Sequence, residues 1–91
     1  MGTIAVRLKI DGEHVLAALQ EAGEKLDSEA GELVLDFSSV PRLETRALQE
    51  LSTLAAAAEQ KGTKIMLHGV SPELYKVLRL TKQASQFAFV N

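Results

Sequence analysis

The residues best suited to chemistry gather where an apolar segment gives way to a polar turn and then to a helical pattern. Asp36 follows the run Leu33-Val34-Leu35, Ser38 and Ser39 come next, and Glu44-Thr45-Arg46 stands where the period changes. A hydroxyl at a helix start sits over backbone N–H groups that have no intrahelical partner, and the macrodipole there favours negative charge. Thr45 is therefore placed to carry a phosphate, or to meet a partner that reads one. Arg46 offers a cation to such a phosphate, or an ion pair to Glu44 or Glu50 when there is none. Thr45 is equally suited to capping the helix, and Glu44 to favouring its dipole. A capping hydroxyl is exposed at the helix tip, so the structural and regulatory roles are compatible.

The remaining candidates are weaker. Asp36 falls at the C-terminal end of an expected strand, the edge where ligands of open α/β sheets collect. The simpler reading is that its carboxylate accepts hydrogen bonds from the turn at Ser38-Ser39. His14 and His68 lie in different elements, far apart in the chain, which argues against a metal site. The one enzyme-like arrangement is a convergence of Asp36, Thr45 and His68 at a sheet edge. No nucleophile–base–orienter set is otherwise visible, and there is no glycine-rich phosphate loop. No catalytic residue, metal or cofactor is expected.

These residues must be positioned by a chain of 91 residues, a size suited to one domain spanning 1–91. Hydrophobic residues make up 46% of it, net charge is −2, and no basic stripe stands out, so nucleic acid is not an expected partner. Cysteine is absent, which removes disulfides and thiolate metal sites. The apolar runs are far too short to span a membrane, and the first ten residues alternate instead of forming a signal-peptide block. A cytoplasmic protein without direct membrane insertion is the expectation.

Ile4, Val6, Leu8 and Ile10 alternate with Thr3, Ala5, Arg7 and Lys9, the pattern of a half-buried strand. Asp11-Gly12 ends it, with Asp11 a plausible N-cap for a helix that buries Val15, Leu16, Leu19, Ala22 and Leu26. A polar turn over 27–31 leads to the strand Leu33 to Phe37. Pro41 interrupts regular structure and pushes Val40 toward an extended conformation. A second helix is expected from about Thr45 to Gln60, burying Ala47, Leu48, Leu51, Leu54, Ala55 and Ala58. Lys61-Gly62 is a strong stop signal. Ile65-Met66-Leu67 forms another strand, and Ser71-Pro72-Glu73 opens a third helix with a serine cap, an N1 proline and an acid. That helix is expected to end near Thr81 or Lys82, and Phe87 and Phe89 mark a last short strand. The order β-α-β-α-β-α-β predicts an α/β fold with a four-stranded, mostly parallel sheet. The two middle strands, apolar throughout, are expected to be covered on both faces.

The segment Leu35-Asp36-Phe37-Ser38-Ser39-Val40, followed by Leu43-Glu44-Thr45, resembles the STAS domain, the fold of bacterial anti-sigma factor antagonists. Gly62 to Val70, Ser71-Pro72-Glu73, and Val77-Leu78-Arg79-Leu80-Thr81 with Phe87 add to the resemblance, which covers roughly residues 3 to 90. In that family a serine at the position of Thr45 is phosphorylated by a kinase that is also the anti-sigma factor, and phosphorylation blocks binding. The resemblance implies a non-catalytic, regulatory protein-binding domain, with Thr45 as the phosphorylation site. It implies a contact surface comprising Ser38, Ser39, Arg42, Glu44, Thr45, Arg46 and Gln49. The implied partner is an anti-sigma factor/serine kinase or, alternatively, the ATPase of a lipid-trafficking ABC transporter. This chain departs from the family pattern with Glu44 for aspartate, Arg46 for a small polar residue, Ala47 for glycine, and Lys82-Gln83 for the usual Gly-Leu.

Overall fold

The computed structural model describes residues 5–27 and 31–90; the expected strand residues Thr3 and Ile4, and 28–30 of the expected turn, lie outside them. The elements run β1 (Ala5–Lys9), α1 (Val15–Asp27), β2 (Glu32–Asp36), α2 (Thr45–Lys61), β3 (Lys64–His68), α3 (Pro72–Leu80), a 3-10 turn (Ala84–Gln86) and β4 (Ala88–Val90). The α/β architecture and its element order are those the sequence predicts, with the 3-10 turn as an addition.

The four strands form one sheet in the order β1-β2-β3-β4, and every pairing is parallel. Each strand is thus laid beside the previous one in the same direction. Right-handed crossovers then deliver all three helices to one face. The register shows which face. Val6 pairs Leu33, which pairs Ile65; Leu8 pairs Leu35, Leu35 pairs Leu67, and Leu67 pairs Phe89. Leu33, Leu35, Ile65 and Leu67 from this layer are buried together with Leu19, Ala22 and Leu26 of α1, Leu51, Leu54, Ala55 and Ala58 of α2, and Leu74 and Leu78 of α3. Leu48, Val15 and Leu16, which the periodicity places inside, are only half-buried.

The opposite face corrects the sequence expectation for the middle strands. Val34 and Met66 are half-buried, not enclosed, and burial alternates along β2 and β3. An uninterrupted apolar run signals two covered faces only when helices flank both sides. Here the sequential strand order leaves one face open, carrying the rows Arg7–Val34–Met66–Ala88 and Lys9–Asp36–His68–Val90.

Helix ends follow local chemistry. Gly62, at φ 71°, stops α2 in the left-handed conformation, its N–H bonded to Glu59 and Ala58 carbonyls. Ser71 caps α3, accepting from the Leu74 N–H at 3.1 Å, with Pro72 at the first helical position. Asp11 does not cap α1. Its carboxylate accepts from the Glu13 N–H at 2.9 Å, closing a turn, and the first helical bond runs from Ala18 N–H to the His14 carbonyl at 3.0 Å. The intervening residues absorb the change of direction before Val15.

Candidate functional site

The three loops after β1, β2 and β3 meet at the carboxyl edge of the sheet. The middle loop, 37–44, is held on every side. The Phe37 N–H donates to the His68 carbonyl at 2.8 Å, and the Val40 N–H returns to the Phe37 carbonyl at 2.9 Å. The Ser38 N–H donates to Asp36 Oδ1 at 2.9 Å. Ser71 Oγ donates to the Pro41 carbonyl at 2.7 Å. Phe37 and Val40 plug into the core, while Ser38 and Ser39 point outward.

Two glycines let the neighbouring loops close on this turn. A Cβ at Gly12 would lie 2.7 Å from the Ser39 carbonyl oxygen, and one at Gly69 would lie 2.9 Å from Ser38 Cβ. Gly69 also adopts φ 71°, where L side chains are strained. Both positions read as strand endings in the sequence; nothing there shows that each abuts a serine of another loop.

Asp36 anchors the turn, as the simpler sequence reading holds. The Ser38 hydroxyl and then its backbone N–H hold this carboxyl well below the usual range, at about 2; partial burial works against them and His68 adds a smaller pull downward. His68 Nδ1 lies 3.7 Å from Asp36 Oδ1, and Arg7 reaches Asp36 Oδ2 at 3.6 Å and His68 Nδ1 at 3.5 Å. These three form a polar cluster on the open sheet face. Arg7, read from the sequence only as an outward strand residue, is the unanticipated member. Thr45 is bonded to neither Asp36 nor His68 among the described residues, so the enzyme-like trio does not assemble. His14 pairs instead with Asp11 at 3.5 Å; the Asp11 carboxyl is lowered chiefly by the Glu13 N–H and secondarily by His14. Among the described residues no group of three or more His, Asp or Glu side chains is placed to hold a metal ion.

The start of α2 differs from the sequence expectation in one respect. Glu44, not Thr45, occupies the N-cap position, with extended backbone at φ −75°, ψ 163°, and its side chain makes no capping bond. Its carbonyl accepts from the Leu48 N–H at 2.9 Å. Thr45 is the first helical residue. Its one-residue displacement arises because Glu44 already satisfies the backbone geometry of a cap, although glutamate is a poor capping side chain. The Thr45 hydroxyl is exposed, and the first-turn amides have no side-chain cap. Ser38, Ser39, Arg42, Glu44, Arg46 and Gln49 are exposed as well, so the loop and first helical turns present one continuous surface.

Beside that surface runs a groove of about 610 Å³ between the first turn of α1 and the 40–44 segment, with Val15, Leu16, Leu43 and Ala47 on its apolar wall and Glu13 and Glu44 at its rim. It explains why Val15 and Leu16 remain half-buried. Helical periodicity counts them as core residues and carries no signal of the groove.

A sheet covered on one side, with a clamped loop leading into a bare helix end, defines a class of small α/β modules that offer a binding surface instead of enclosing a substrate. The chain belongs to the STAS domain family: the family profile described as "Mlab, STAS domain" matches residues 2–84. STAS domains are regulatory, protein-interacting and generally non-catalytic. No curated protein matches the chain. No helix among the described residues is long and apolar enough to cross a membrane.

Proposed function

We propose that this STAS domain is a regulatory docking module whose partner contacts Ser38, Ser39, Arg42, Glu44, Thr45, Arg46 and Gln49, and whose binding is switched at Thr45. One observation carries the reading: an exposed hydroxyl on the first residue of α2, above amides that no side chain caps. A phosphate on Thr45 would receive those amides and the neighbouring Arg46. It would add about two negative charges beside Glu44 and repel an acidic partner surface. The rigid hold on the loop supports docking, because a preordered surface loses little entropy on binding.

Resemblance supplies two partner classes. The first is an anti-sigma factor that doubles as a serine kinase, which makes this domain an anti-sigma factor antagonist. The second is the ATPase of a lipid-trafficking ABC transporter, for which a threonine at this position is also familiar. What favours the second reading is the residue type itself, a threonine at position 45 where the first class carries a serine.

Affinity capture from the native lysate with wild type, Thr45→Ala and Thr45→Glu tests this. Recovery of an anti-sigma kinase or of an ABC ATPase by wild type and Thr45→Ala, but not by Thr45→Glu, is the expected result and names the class. Equal recovery by all three proteins removes Thr45 from the mechanism.

A further inference from the structure

The free face of α3 has no role in the reading above. Leu74 and Leu78 turn into the core, Lys76, Arg79 and Leu80 fall on the other side at helical spacing, and Tyr75 lies on the flank between, one edge of its ring against Phe89 at 4.9 Å between centroids. Leu80 is 74% exposed and Tyr75 41%, the two most exposed large apolar side chains among the described residues. Lys76 and Arg79 lie between them, and Lys82 follows at the helix end. Among the described residues no carboxylate lies within ion-pair distance of any of these three cations.

Lys82 adds a second, independent observation. It sits at φ 62°, the only non-glycine residue of positive φ among those described. It closes α3 there, with its N–H on the Arg79 carbonyl at 3.1 Å and the Gln83 N–H on the Leu78 carbonyl at 2.8 Å. Glycine occupies this helix-ending position without strain; an L side chain does not. A strained lysine at the end of a cationic helix face points to a use for the charge.

We propose that this face is a second docking surface, and that its occupant is an acidic segment of another protein carrying an apolar side chain. The cations require carboxylates, and the pair Tyr75 and Leu80 requires an apolar contact between them. A lipid surface fits less well. The apolar stripe of α3 is already committed to the core, leaving two side chains to enter a bilayer instead of the long stripe of an interfacial helix. The bond from Ser71 to Pro41 sets the N-terminus of α3 beside the Thr45 loop, and the helix runs away from it toward Lys82. The two surfaces are therefore separately testable.

The test uses p-benzoylphenylalanine in place of Tyr75, photo-crosslinking in the native cells, and peptide mapping of the adduct. A parallel probe in place of Gln49 reads the Thr45 surface. The expected adduct at position 75 joins an acidic, apolar-bearing peptide of another protein. Adding Lys82→Gly should lower its yield about threefold, the scale of one exposed ion pair, while raising Tm by a few degrees through relief of the left-handed strain. A merely structural Lys82 would give the stabilisation without the loss. Crosslinks to lipid, to a second copy of this chain or to segments lacking acids overturn the proposal, as does no adduct at all. So does a yield that Lys82→Gly leaves unchanged. Failure at Gln49 alone counts against the Thr45 surface and leaves this one standing.

Discussion

Ser71 Oγ donates to the Pro41 carbonyl at 2.7 Å while accepting from the Leu74 N–H at 3.1 Å. One hydroxyl thus caps α3 and fastens the loop that precedes α2. The cap belongs to local sequence, the fastening to residues thirty positions apart.

Ser71→Ala should cost about 1–2 kcal/mol, since it removes a cap and leaves a loop carbonyl without its donor. Urea unfolding measures the loss. Faster amide exchange at Val40 and Leu43 than at β3 would show the loop loosening; uniform acceleration would reduce the effect to the cap alone.

Thr45→Ala should change stability by less than about 0.5 kcal/mol, because Thr45 is the first helical residue and not the cap. The expectation from sequence alone, with Thr45 as cap, is a loss of roughly 1 kcal/mol. Glu44→Ser should stabilise by about 0.5–1 kcal/mol by introducing an effective capping oxygen. Thermal unfolding of the two variants decides between the two cap positions: a marked loss for Thr45→Ala with no gain for Glu44→Ser would restore Thr45 as the cap.

Asp36 titrates at about 2 in the folded protein, below its ordinary value of 3.8. A depressed folded value stabilises the fold above pH 3.8, and that contribution is lost as pH falls toward 2. The amount is on the order of 2 kcal/mol. Asp36→Asn keeps an acceptor for the Ser38 N–H and abolishes this titration. Its unfolding free energy should fall less steeply than wild type between pH 4 and 2; parallel acid limbs would contradict the assignment.

Gly69→Ala should destabilise by about 1–3 kcal/mol, from an alanine at φ 71° and a Cβ pressed against Ser38. The displaced turn should also weaken docking at the Thr45 surface. A stable variant that binds its partner as wild type does would show the clamp to be dispensable.

The elements themselves are legible in the sequence because their signals are local. Ser71-Pro72-Glu73 opens a helix and Gly62 ends one through bonds made within a few residues. The order of strands and helices implies parallel pairing, since a helical crossover returns the chain in the same direction. The exposure of Ser38, Ser39, Arg42, Glu44, Thr45, Arg46 and Gln49 also follows, because a polar turn and a helix start leave groups that only solvent or a partner can meet. The placement of the cap at Glu44 instead of Thr45 turns on a single backbone angle, which propensity does not fix.

Other features depend on which distant residues meet. Val34 and Met66 read as enclosed, yet the sequential strand order sends every helix to the other side and leaves them at an open face. Arg7, Asp36 and His68 become neighbours only through strand register. Gly12 and Gly69 become necessary only because Ser39 and Ser38 come to rest against them. Local chain preferences determined the pieces of this protein; the docking of three loops at one sheet edge, a many-body packing outcome with no local signature, decided the shape of its surface.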